Sequence, residues 1–208
     1  MAFCLVAEEA AEMSKGEQTR QRIIEQAAPL FNQRGFEGCS MQDILEATAL
    51  EKGGVYRHFA SKEALAAAAF LYSLEQARKT RTDGLEHVPG AVEKLHAVIR
   101  RFVEEPSPIE GGCPLLNTAV DADDGNAALR RLVKKAFSDW RQGLAGMVSA
   151  GVAAGEIRPD VDAAQVADTV IAGLEGALVL CRLDGNRDAL RRVETSLHEL
   201  IEGMRTRR

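Results

Sequence analysis

Long apolar runs are missing from this 208-residue chain: no stretch of about 18 apolar residues occurs, so no membrane-spanning helix is expected. Cysteine is scarce. Cys4, Cys39, Cys113 and Cys181 lie far apart, without the paired spacings of a zinc site or a disulfide framework. Free thiols of a reducing, cytoplasmic compartment are the expectation. Residues 1–14, MAFCLVAEEAAEMS, have no basic start and no long apolar core, so no signal peptide is expected there. A flexible N-terminal extension is expected there. Strand-like alternation, internal repeats and low-complexity tracts are absent as well.

Enzyme signatures are also missing. The chain has no nucleophile elbow, no glycine-rich phosphate loop and no ligand spacing for a metal. His87, His96 and His198 stand isolated in the sequence. An enzyme, a metal site and a bound cofactor are therefore not expected. Nor is there an excess of positive charge, since 26 Lys and Arg oppose 31 Asp and Glu for a net charge of −5. The balance is local, however. Lys15 to Leu65 carries equal numbers of basic and acidic residues and is the least acidic part of the chain.

What is present is helical periodicity, with 46% hydrophobic residues to build a core. Ile23, Ala27, Leu30 and Phe31 form one buried stripe, with Gly35 a stop after it. Ser40 is an N-cap candidate with Asp43 three residues on, and Met41, Ile44 and Leu45 follow at helical spacing. Thr48-Ala49-Leu50 turns the chain. A second short helix follows, and Ser61 caps the next. Val55 and Phe59 face inward in this reading, whereas Lys52, Tyr56, Arg57 and His58 face out. Gly53 and Gly54 each weaken that second helix by roughly 1 kcal/mol relative to alanine. Their use is close approach of the backbone to another surface. This is the layout of a helix-turn-helix, whose second helix enters the DNA major groove.

Gly35-Phe36, Ser40, Asp43-Ile44, Gly53, Val55-Tyr56, His58-Phe59, Ser61-Lys62-Glu63 and Leu65, at their fixed spacing, resemble the DNA-binding domain of the TetR/AcrR family of bacterial repressors. The resemblance covers about residues 19–65. It implies an all-α fold of about nine helices: a three-helix helix-turn-helix domain at residues 15–65, then a ligand-binding and dimerisation domain at 66–208. It implies a transcriptional regulator, a repressor that binds a palindromic operator as a dimer and is released by a small-molecule ligand. The alternative is a DNA-binding dimer without a sensor function. Expected DNA contacts are Ser40, Lys52, Gly53, Gly54, Tyr56, Arg57, His58 and Lys62, with Arg57 and the glycine edge reading bases and the lysines on phosphates. Two departures stand out. Pro29 inside the first helix predicts a kink, and the acidic Glu51 opens the recognition helix, where it suits the helix dipole but not a phosphate.

Beyond residue 65 the pattern predicts helices from Ser61 to about Arg81, Pro89 to Glu105, Cys113 to Asp121, Asn126 to Ala154, Asp162 to Leu183, and from a cap at Asp188. Gly111 to Asp123 resembles a segment of one branch of the family's inducer-binding domains. Candidate pocket walls are Leu74, Leu95, Ile99, Phe102, Leu116, Asn117, Val120, Trp140, Leu144, Met147, Leu174 and Leu178, with Trp140 as aromatic wall and Asn117 as polar anchor. Val170, Leu174, Glu175, Leu190, Val193, Leu197, Leu200 and Ile201 are expected at a two-fold seam between two copies. Glu175 either reads a polar ligand group or pairs with Arg182 there, and the seam is preferred. Cys113 reads as a packed small thiol rather than a redox sensor.

Overall fold

The computed structural model describes residues 13–122 and 126–207. Among them are nine α-helices, a short 3-10 turn and no strand, in agreement with the all-α expectation. The expected extension lies, up to residue 12, outside the described residues, as do Cys4 and Asp123.

Helix α1 spans Lys15–Gly38 and opens on a full capping box between Ser14 and Glu17. Its dihedrals remain helical through Pro29, and the break falls at Gly35 (φ 73°, ψ 176°). The expected disruption at Pro29 is thus corrected. Proline's own φ is already helical, whereas the left-handed φ of Gly35 redirects the chain. Glycine is required there twice over, since a Cβ would come within 2.5 Å of the Asp121 carboxylate. Helix α2, Met41–Thr48, carries the predicted box between Ser40 and Asp43. Ala49 then turns the chain in the left-handed region (φ 53°). Helix α3 is a single short stretch, Lys52–Tyr56, and α4 runs Lys62–Thr82 from the Ser61 cap. Ile23, Ala27, Ile44, Val55, Phe59 and Leu65 close one small core over α1 to α4.

Helices α5 (Ala91–Glu104), α7 (Ala127–Ala153), α8 (Ala163–Asp184) and α9 (Asp188–Gly203) pack around a second core of Val92, Leu95, Ile99, Leu144, Val148, Val170, Leu174, Leu190 and Ile201. Each such side chain contributes about 1.5–3 kcal/mol by leaving water. Asn126 and Asp162 cap α7 and α8 through their side chains. Asp188 is the first residue of α9 rather than its cap, and its N–H is held by Asn186 Oδ1 at 2.9 Å. Helix α6, Pro114–Asp121, lies between the two parts. Cys113, Leu115, Phe70, Leu129 and Val133 join it to α4 and α7 in a third cluster.

Candidate functional site

The surface of α3 is formed by what the small core leaves outside. Val55 and Phe59 are buried at 1% and 4%, and this turns Lys52, Gly53, Tyr56 and Arg57 outward. His58 and Lys62 are half-buried. Lys52 Nζ lies over the Tyr56 ring and Lys62 Nζ over the Phe36 ring of α1, at 5.8 and 4.2 Å from the centroids. Neither Gly53 nor Gly54 needs a positive φ. A Cβ on Gly53 would meet nothing within 4 Å. No internal contact therefore demands glycine at that position. Glu51 precedes α3 without making a side-chain cap.

A cavity of about 440 Å³ opens between α4, α5, α6 and α7. Leu71, Leu74 and Ala77 wall it on α4, Val98 on α5, and Trp140, Gly143, Leu144 and Met147 on α7. Cys113, Pro114 and Leu115 close it at the start of α6. Trp140 is braced by stacking on Phe102 and Phe137, with centroids at 6.1 and 6.5 Å. Behind the wall, the Cys113 thiol donates to Glu175 Oε1 at 2.9 Å. Burial, and then the neighbouring Glu175, push that thiol up to about 12. Burial likewise pushes the Glu175 carboxyl upward, against the opposing pull of Cys113 and Arg81.

The segment that closes the cavity also grips α1. Asn32 Nδ2 donates to the carbonyls of Glu110 and Gly112 at 2.7 and 3.2 Å. Asn117 Nδ2 donates to the carbonyls of Gly111 and Asn32 at 2.8 and 3.0 Å, and Arg182 Nη1 on α8 donates to Asn117 Oδ1 at 3.0 Å. At the other end of α6, the Phe36 N–H donates to Asp121 Oδ2 at 2.6 Å.

Two family models match the chain. One describes the bacterial regulatory proteins of the tetR family and matches residues 23–69; the other, the tetracyclin repressor-like C-terminal domain, matches residues 91–197. The chain belongs to the TetR family of transcriptional regulators. It is a DNA-binding regulator rather than an enzyme, and its α2–α3 pair is the family's helix-turn-helix. A TetR-family regulator from Chloroflexus aurantiacus is 43% identical, with a TM-score of 0.88 over 93% of this chain and 98% of that one. One from Cytophaga hutchinsonii is 38% identical, with a TM-score of 0.88 over 95% of this chain and 100% of that one. The HTH-type transcriptional repressor DhaR of Mycobacterium sp. (strain GP1) is 27% identical over 88% of this chain and 91% of its own length.

In this TetR-family chain only some of the residues expected to line a pocket do so. Leu74, Trp140, Leu144 and Met147 do line the cavity. Leu95, Ile99 and Leu174 do not; they are 1%, 0% and 0% exposed within the core. Phe102 stands one layer behind Trp140, and Leu116 and Leu178 pack in the third cluster. Asn117 serves the α1 contact, and Val120 is 76% exposed on the outside of α6. An apolar stripe shows which face turns inward, not whether that face meets a neighbour or a void. Arg78, Arg81 and Gly143 also line the cavity and carry no periodic apolar signal, while Leu71 and Val98 line it as apolar residues that periodicity does not separate from the core.

The residues expected at the two-fold seam are corrected in the same way. Val170, Leu174, Glu175, Leu190, Leu197 and Ile201 are all buried inside the single chain. Val193 is half-buried where α9 crosses α8, 3.3 Å from the place a Gly173 Cβ would take. Only Leu200 is exposed, at 37%. Arg182 bonds Asn117 rather than Glu175, whose partner is Cys113. The open apolar side of α8 is formed instead by Val179, Leu180 and Leu183, the last 78% exposed. His96 and His198, isolated in sequence, face one another with Nδ1 atoms 2.6 Å apart.

Proposed function

We propose that this regulator is a cytoplasmic repressor that binds a palindromic operator as a homodimer and leaves it when a small molecule fills the cavity between α4 and α7. Residues 15–65 form the DNA-binding unit, and residues 66–208 the sensing and dimerising unit. The observation that carries the reading is shared structure: Cys113 to Leu115 wall the cavity, while Glu110, Gly112 and Asn117 beside them hold Asn32 of α1. Helix α4 connects the same two places, since it begins beside α3 and ends along the cavity. A ligand that prefers displaced α4 and α6 changes the placement of α3. Couplings of this kind amount to about 1–3 kcal/mol, or roughly 5–150-fold in operator affinity. The exposed Val179, Leu180 and Leu183 supply the seam for a second copy, which sets two α3 helices one DNA turn apart, about 34–36 Å. Lys52, Tyr56, His58 and Lys62 lie on phosphates, and Ser40 flanks them; Arg57 and the Gly53-Gly54 edge read bases.

A dimer without a sensor function would have no use for a cavity of about 440 Å³, which is why it is the second reading. The test begins with a duplex selected by the protein from a randomised pool. The proposal expects a palindrome, a dimer by sedimentation at low micromolar concentration, and a compound from a metabolite and antibiotic panel that both raises the melting temperature and releases the duplex. A stable monomer, or a compound that saturates the cavity without altering operator affinity, overturns it.

A further inference from the structure

The charged residues around the cavity do not contribute equally. Glu75 is held by Arg78 through two bonds of 2.8 Å. Asp139 is held by Lys135 at 2.9 and 2.6 Å. Arg81 also lines the cavity, and among the described residues its guanidinium has no ion pair and no hydrogen-bond acceptor. It lies over the Phe102 ring, 4.4 Å from the centroid, so its apolar face is satisfied and its N–H edges are free. Its main chain is pinned, since Arg101 Nη1 donates to the Arg81 carbonyl at 3.2 Å. A place in the last turn of α4 explains why a cation is tolerated there. It does not explain why the charge borders an apolar void without a counter-ion.

Buried Glu175 feels the Arg81 charge but makes no ion pair with it among the described residues. Glu175 is 5% exposed; its Oε1 accepts from Cys113 and its Oε2 has no partner among the described residues. Burial favours its neutral form. The apolar walls include Leu74, Val98, Leu144, Met147 and Trp140. A cation without an ion pair, carboxylates each already held by another cation, and an apolar wall with one aromatic select a particular chemistry.

We propose that the cavity takes an amphipathic organic monoanion, its aromatic or aliphatic body against Trp140, Leu144 and Met147 and its carboxylate or similar group on Arg81. This rests on the sensor reading above and names the class of its effector. A carboxylate matches the guanidinium fork with two parallel bonds, and a partly water-excluded site strengthens them. A neutral ligand leaves Arg81 unpaired, and a cationic one is repelled by it.

The test uses three probes that share one body: naphthylacetate, naphthylacetamide and naphthylethylammonium. Each is titrated into the full chain by calorimetry, with Trp140 fluorescence as a second readout. The anion should bind roughly tenfold or more tightly than the amide, a gap of about 1.4 kcal/mol, and the cation most weakly. Arg81→Gln should remove the gap between anion and amide while leaving amide affinity in place, and Arg81→Lys should keep part of it. A loss of affinity for all three probes alike in Arg81→Gln would reduce Arg81 to a structural role and overturn the proposal. So would equal binding of the three probes by the unaltered chain, a preference for the cation, or no binding of any. Operator release is read separately, by fluorescence anisotropy of the selected duplex. An anion that binds selectively but releases nothing sinks the sensor reading and leaves the ligand class standing. Release by the amide but not by the anion does the reverse.

Discussion

Asn117 Nδ2 donates to the backbone carbonyl of Asn32 at 3.0 Å, and so ties α6, which flanks the cavity, to the first helix of the DNA-binding unit. Asn32 is only 6% exposed, so the carbonyl has little water to fall back on. Asn117→Ala should therefore destabilise the fold by about 1–3 kcal/mol, the cost of an orphaned buried acceptor. It should also weaken the dependence of operator affinity on ligand, because α1 would no longer follow α6. Urea unfolding and anisotropy titrations with and without ligand measure the two effects. An unchanged unfolding midpoint together with an unchanged ligand response would remove Asn117 from the coupling.

Gly53 and Lys62 should separate stability from binding. A Cβ on Gly53 meets nothing, and α3 is helical there, so Gly53→Ala should raise stability by up to about 1 kcal/mol. The same methyl would stand between the backbone and DNA, so operator affinity should fall. Lys62→Ala, by contrast, should weaken binding to all sequences alike and flatten the salt slope by about one unit. Thermal melts and binding isotherms over a salt series check both. Tighter operator binding by Gly53→Ala, or altered sequence preference in Lys62→Ala, would contradict these roles.

These local devices were legible because they depend on neighbouring residues. The Ser40–Asp43 box, the Ser61 cap, the Gly35 break and the inward turn of Val55 and Phe59 are all encoded within a few positions. The seam was not. Leu174 and Ile201 have the spacing of an interface stripe, and so does any core helix pair. Leu183, the most exposed of the large apolar residues on α8, carries no mark that sets it apart from them. His96 and His198 are 102 positions apart, and only the crossing of α5 and α9 brings them together.

The exposed side of α8 yields a direct test of assembly. Leu183→Glu places a charge on a position 78% open in the single chain, so the monomer fold should be almost unaffected. In a two-fold seam the two new carboxylates would face an apolar partner surface, and the dimer should dissociate. Operator affinity should then fall by at least an order of magnitude, since one half-site contact is lost. Sedimentation and anisotropy on the same preparation check it. A variant that stays dimeric with full operator affinity would move the seam away from Val179, Leu180 and Leu183.

The His96–His198 pair should make the chain sensitive to mild acid. With Nδ1 atoms 2.6 Å apart, one ring must donate and the other accept, and Glu202 Oε1 takes the far side of His96 at 2.7 Å. Burial, followed by the His96 ring, holds His198 below its ordinary 6.5; Arg100 adds to this, and Glu194, 3.6 Å from His198 Nε2, opposes it. Arg205, bound to both Glu202 and Glu93, completes the charged surroundings where α9 meets α5. A depressed folded-state value means that the unfolded chain takes up the proton first. The contribution of His198 is therefore fully present above about 6.5 and is lost as the pH falls through the lower folded value. Unfolding free energy measured from pH 7 to pH 5 should decline, and His198→Gln, which keeps a polar partner for His96 but cannot charge, should flatten that decline. An identical decline in the variant would place the acid sensitivity elsewhere.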